Sequence, residues 1–120
     1  MIIDANVFLR YVLNDNESLS KQSADIIENN EIFLPTEIIA EIVYVLEKVY
    51  KVPRKKTAAL LTNFIDNYNP TVQNPITIKF ALSTYSSSKL DFIDCMIHSY
   101  HHIESHEVVT FDKALNKKLK

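Results

Sequence analysis

Met1-Ile2-Ile3-Asp4-Ala5-Asn6 is the stretch on which the fold turns. Three apolar residues read as a short buried strand, an acid closes it, and Ala5–Leu13 then runs at helical spacing. A carboxylate where a strand passes into a helix sits where open α/β sheets gather their ligand chemistry. Asp4 is equally well placed to cap the helix. Near the other end, Glu107-Val108-Val109-Thr110-Phe111-Asp112 repeats the pattern. A strand again ends in an acid, and a helix from Asp112 to Leu119 follows.

Between these ends the same alternation continues. Ser18 or Ser20 opens a helix to Glu28, and Ile32-Phe33-Leu34 is a short buried strand. Thr36, as N-cap, starts a helix to about Tyr50. Val52-Pro53 breaks it, and Arg54–Asp66 is helical. A short strand is expected at Thr71–Gln73, then helices at Pro75–Ser86 and Asp91–Ile103. Short strands alternating with longer helices imply an α/β fold, with a short-stranded central parallel sheet covered on both faces.

Composition bounds the problem. A chain of 120 residues that is 47% apolar is expected to form a single domain, 1–120, with one core. Its net charge of −2 gives no global nucleic-acid signature, so any basic surface must be local. No apolar run reaches the roughly 20 residues of a membrane span. Met1 leads straight into the strand without a signal peptide, and the lone Cys95 fits a reducing cytoplasm. The chain has no glycine, which excludes both the P-loop and the Rossmann phosphate loop. Phosphate chemistry here must use metal or basic side chains, and helices must end on residues such as Asn or Ser.

Four acids stand out: Asp4, Glu41, Asp94 and Asp112. Glu41 lies at the edge of the apolar arc Ile38, Ile42, Val45, Leu46, Val49, where an isolated helix would simply solvate it. Asp91 reads as an N-cap, and Asp94 as a favourable charge in the first turn. Ile93, Met96, Ile97, Tyr100 and Ile103 form the buried stripe of that helix, with Asp91, Asp94, His98 and His101 on a polar face. Each local reading explains one acid. A parallel sheet would bring all four carboxylates to one edge, a crowding that cations relieve. Oxygen-only donors suit Mg²⁺ or Mn²⁺, which serve phosphodiester hydrolysis.

Taken in order, "MIIDANVFLRYVLNDN", "PTEIIAEIVYVLEKVYKV", "LDFIDCMIHSY" and "VVTFDKALNK" resemble the four motifs of PIN-domain nucleases, most of all VapC-like toxins of toxin–antitoxin pairs. The resemblance covers essentially the whole chain. It implies a PIN-like three-layer α/β/α sandwich and a Mg²⁺- or Mn²⁺-dependent endoribonuclease. It assigns catalysis and metal ligation to Asp4, Glu41, Asp94 and Asp112, with Asn6, Asp91 and Thr110 as auxiliaries. It further implies a homodimer held in check by a cognate antitoxin. Relatives often carry a glycine within the segment that here reads His101-His102-Ile103-Glu104-Ser105-His106, and often Ala where this chain has Cys95.

Among the basic residues, Arg10 and Lys113 are the expected substrate contacts. The clusters Lys48, Lys51, Arg54, Lys55, Lys56 and Lys117, Lys118, Lys120 read as solvated faces. His98, His101, His102 and His106 match no familiar zinc spacing. Three rival readings differ in class. A dehalogenase-like phosphatase needs an acid at the position of Asn6. A receiver domain needs an adjacent acidic pair and a late lysine. A catalytically inactive PIN-fold RNA- or protein-binding module remains as the alternative.

Overall fold

The computed structural model describes residues 1–120. Seven helices follow one another: α1 (Ala5–Leu13), α2 (Glu17–Glu28), α3 (Thr36–Lys48), α4 (Arg54–Tyr68), α5 (Pro75–Ser87), α6 (Phe92–Glu104) and α7 (Lys113–Leu119). The closest packing runs through α4, α5 and α6, while α1 lies against α2 and α3. Phe8, Leu34, Ile39, Ile42, Leu46, Leu61, Ile78, Leu82 and Tyr85 are buried to less than 2% exposure and knit these helices into one apolar cluster. Fully burying each such Leu or Ile side chain stabilises by about 1.5–3 kcal/mol.

The α/β expectation is overturned. The chain is 68% helix and 2% strand, with no sheet, so it does not form an α/β/α sandwich around a parallel sheet. What stands in place of a sheet is two isolated parallel bridges, Ile2 with Phe33 and Phe33 with Thr71. Phe33 N–H donates to the Met1 carbonyl (2.8 Å), Leu34 N–H to Thr71 (2.8 Å) and Thr71 N–H to Ile32 (2.7 Å). The reason lies in how short the extended runs are. Pro35 turns the second directly into α3, and Pro70 and Pro75 bracket the third; proline has no N–H for a ladder. Glu107–Phe111, expected as a strand, pairs with nothing, and Val109 and Phe111 are 86% and 99% exposed. Apolar runs of three or four residues do not distinguish a strand from an extended linker.

Helix ends solve the glycine problem with other residues. Asn14 (φ 50°), Asn69 (φ 46°) and Ser105 (φ 62°) take the left-handed conformation as C-caps of α1, α4 and α6. Asn does so at low cost because its short polar side chain bonds locally. Thr36 is the first helical residue of α3 rather than its cap. Its N–H is met from outside by Gln73 Oε1 (3.1 Å), tying the start of α3 to the segment before α5.

Candidate active site

Helix starts position the acids. Asp4 caps α1, its Oδ1 accepting from Val7 N–H (3.1 Å). Asp112 caps α7, its Oδ1 accepting from Leu115 N–H (2.8 Å). Capping engages one oxygen of each carboxylate. Asp91 stands at the N-cap position of α6 without a capping bond from its side chain. Asp94 follows in the first turn of that helix, half-buried.

Three of these acids share one neighbourhood. Burial pushes the Asp94 carboxyl above its ordinary value, and the negative charges of Asp112 and Asp91 push it further. A carboxylate held up by burial and by like charges is what a bound cation would relieve. Asp4 and Glu41 are exposed, and neither is among the charges acting on Asp94. No three Asp, Glu, His or Cys side chains converge closely enough to chelate one ion. The donor set nonetheless fits Mg²⁺ or Mn²⁺: hard oxygens, mutual repulsion, and a first shell that for Mg²⁺ needs only one or two carboxylates besides waters. Asp94 and Asp112, with Asp91 beside them, are the residues able to hold it.

Asp91 and Asp94 border a cavity of about 550 Å³. Ala40, Val43, Tyr44, Glu47 and Lys48 of α3 form one wall, Phe92 and Ile93 of α6 the other, and Arg54 and Tyr85 complete it. Glu41 sits in α3 beside Ala40 and one turn before Tyr44, and so on the stripe that adjoins this cavity. Asn6 is exposed in the first turn of α1. Thr110 Oγ1 accepts from Asp112 N–H (3.0 Å), so its hydroxyl shapes the turn into α7. Lys113 is exposed and forms no ion pair. Arg10 is engaged elsewhere: Nη1 donates to both oxygens of Asp15 (2.7 and 2.8 Å) and Nη2 to the Tyr50 hydroxyl (2.9 Å).

The joint that presents α6 is clamped by a residue that sequence reasoning left as a solvated charge. Arg54 Nη1 reaches the carbonyls of Tyr85 (3.1 Å), Ser88 (3.1 Å) and Leu90 (2.7 Å), and Nη2 that of Lys89 (3.4 Å). Its Nε pairs with Glu47 (3.2 Å), and the guanidinium lies 4.2 Å over the Tyr85 ring. Tyr85 donates its hydroxyl to Glu47 Oε1 (2.5 Å). That bond, helped by Lys48 and Arg54, holds the Glu47 carboxyl below its ordinary value against the opposing effect of burial. Leu90 carries the last carbonyl before Asp91, so the clamp fixes where the α6 acids begin. No spacing in the sequence signals it, because its carbonyl partners lie 31 to 36 residues away.

His98, expected on the polar face of α6, is buried; it and His102 both lie against Phe80, at 5.6 and 4.7 Å, and stack with each other at 5.9 Å. His101 Nδ1 meets the His106 carbonyl (2.9 Å).

A family comparison bears on this arrangement directly. The PIN domain model matches residues 1–119, nearly the entire chain. No curated protein and no solved structure matches it. The chain belongs to the PIN domain family, whose members are generally nucleases that use divalent metal ions.

Proposed function

We propose that this chain is a Mg²⁺- or Mn²⁺-dependent endoribonuclease and the toxin half of a toxin–antitoxin pair. The observation that carries the reading is Asp94, half-buried in the first turn of α6, its carboxyl held above its ordinary value by burial first and then by the charges of Asp112 and Asp91. Such crowding is unfavourable in the free protein and becomes useful once a cation arrives. A divalent ion supplies charge neutralisation at a phosphodiester and lowers the pKa of a water ligand. Asp94 and Asp112 hold and orient it, and Asp91 adds negative charge. Asp4 at the start of α1 and Glu41 in α3 are the further acids this reading assigns to catalysis and the metal. Thr110 supports the turn that carries Asp112, and Asn6, exposed beside Asp4, is an auxiliary at the site. RNA is the substrate, and a cognate antitoxin masks the acids. The exposed apolar side chains of Tyr44 and Ile93 at the cavity support a covering partner. A homodimer is the assembly proposed.

One observation favours a second reading, a PIN module that binds RNA or protein without cutting. Asp4 and Glu41 stand apart from the charge group around Asp94. A cleavage assay separates the two. Purified protein is incubated with single-stranded and structured RNA, with Mn²⁺ or with EDTA, alongside Asp4→Asn and Asp94→Asn. The nuclease reading expects cleavage only with Mn²⁺ and only in the wild type. Cleavage that survives EDTA or either substitution would overturn it, and binding without cleavage would establish the module.

A further inference from the structure

Three lysines share one concave surface without a carboxylate partner. Lys89, between α5 and α6, and Lys117 and Lys118 of α7 line a cleft of about 570 Å³ with Ser88, Leu90 and Ala114. Arg10 pairs with Asp15, Lys48 and Arg54 with Glu47, and Lys79 with Asp66; Lys21, Lys51, Lys55, Lys56, Lys113 and Lys120 are also without an ion pair, but none of them lines a cavity. None of the chain's ion pairs includes a cleft lysine. The charge of Lys118 is felt inside the fold, where it adds to the effect of burial in lowering the His98 value.

The cleft's lining residues are close neighbours of the acids along the chain. On one wall Leu90 precedes Asp91; on the other Ala114 lies two residues beyond Asp112. Phe111, the neighbour of Asp112, is 99% exposed and offers an open aromatic face. A chain with net charge −2 that keeps three unneutralised cations in one hollow presents a local anion site. Repeating phosphates suit a row of lysines, and an uncovered ring suits a base free to unstack, which a duplex does not supply.

We infer that the Lys89–Lys117–Lys118 cleft is the track for the phosphodiester backbone of a single-stranded RNA, with a neighbouring base stacked on Phe111. The inference rests on the nuclease reading for its placement beside the cutting site; binding itself does not need cleavage. Each lysine seats one phosphate, and binding releases condensed counterions.

The test is fluorescence anisotropy of a short labelled single-stranded RNA in EDTA, between about 50 and 200 mM salt. The full chain is compared with the K89Q/K117Q/K118Q triple variant, with Phe111→Ala and with the control K55Q/K56Q. All three variants lose little structure, since these side chains are exposed. The expected result is that the triple variant binds roughly tenfold more weakly and that the slope of log K against log salt becomes shallower by about 2. Phe111→Ala should weaken binding about tenfold without changing the slope, and the control should bind as the wild type does. An unchanged slope in the triple variant, an equal loss in the control, or displacement of RNA by polyglutamate as effectively as by unlabelled RNA would overturn the assignment. Mn²⁺-dependent cleavage with lysine-independent binding refutes the cleft alone. Lysine-dependent binding without cleavage refutes the nuclease reading alone.

Discussion

Removing the Arg54 clamp should destabilise the fold and loosen the acid site together. Arg54→Met keeps the side chain's length and apolar stem but deletes the fork. The contact to the Leu90 carbonyl, at 2.7 Å, has the length of a charge-assisted bond. Nη1 has two hydrogens for three carbonyls, so two good bonds are counted and the rest treated as shared. Charge-assisted hydrogen bonds contribute about 1.5–3 kcal/mol each, and the low end applies because the Arg54 side chain is one-quarter exposed. The cation–π contact with Tyr85 adds about 0.5 kcal/mol. The loss comes to about 3.5 kcal/mol, or roughly 14 °C in melting temperature for a domain of this size. Urea and thermal unfolding followed by circular dichroism would measure it, and a Mn²⁺ titration of the same variant should show weaker binding. Arg54→Lys should restore less than half, because an ammonium cannot span the carbonyls of Tyr85, Ser88 and Leu90 as a planar fork does. A loss below about 1 kcal/mol, or full rescue by lysine, would refute the clamp.

Two further outcomes follow from single residues. His98 is held below its ordinary value of 6.5 by burial first, then by Lys118, His102 and His101. The unfolded chain therefore binds the proton more readily, and stability should fall as pH drops below about 6.5. Melting scans between pH 7.5 and 5.5 should show this fall flattened in His98→Leu; an equally steep fall in the variant would assign it to other groups. Ser105 occupies the left-handed region at φ 62°, where a side chain costs about 1 kcal/mol or more. Ser105→Gly should raise the melting temperature by a few degrees, less the entropy that glycine adds to the unfolded state; a lower melting temperature would contradict the reading.

The helical half of the fold was legible because helices announce themselves locally. Asp4, Asp91 and Asp112 all occupy N-cap positions, and Asn14 and Asn69 end their helices where glycine would otherwise stand. The strands were misread for a physical reason. Met1–Ile3, Ile32–Leu34 and Glu107–Phe111 have the composition of buried strands, but pairing depends on a neighbour that local pattern does not contain. Met1–Ile3 makes one bridge, Ile32–Leu34 makes two through Phe33 alone, and the last stays uncovered. The chemistry of the acids was visible in residue type and order. What decides their surroundings was not: the Arg54 clamp, the Arg10–Tyr50 contact and the gathering of Lys89 with Lys117 and Lys118 are all set by tertiary proximity. The same basic residues look alike in the sequence and differ in the fold only by whether a carboxylate meets them.

The central claim is that the acids opening α6 and α7 form a cation site, and Mn²⁺ binding to the metal-free protein tests it most directly. Asp94 has a raised value in the fold, so its ionised form is penalised as pH rises above the ordinary carboxylate range. Asp94→Asn removes that penalty and should melt higher than the wild type at pH 7 without metal. Mn²⁺ at about one hundred times its dissociation constant should stabilise the wild type by about 2.7 kcal/mol, roughly 10 °C, and leave Asp94→Asn almost unmoved. An equal Mn²⁺ shift in both proteins, or none in the wild type, would contradict the account.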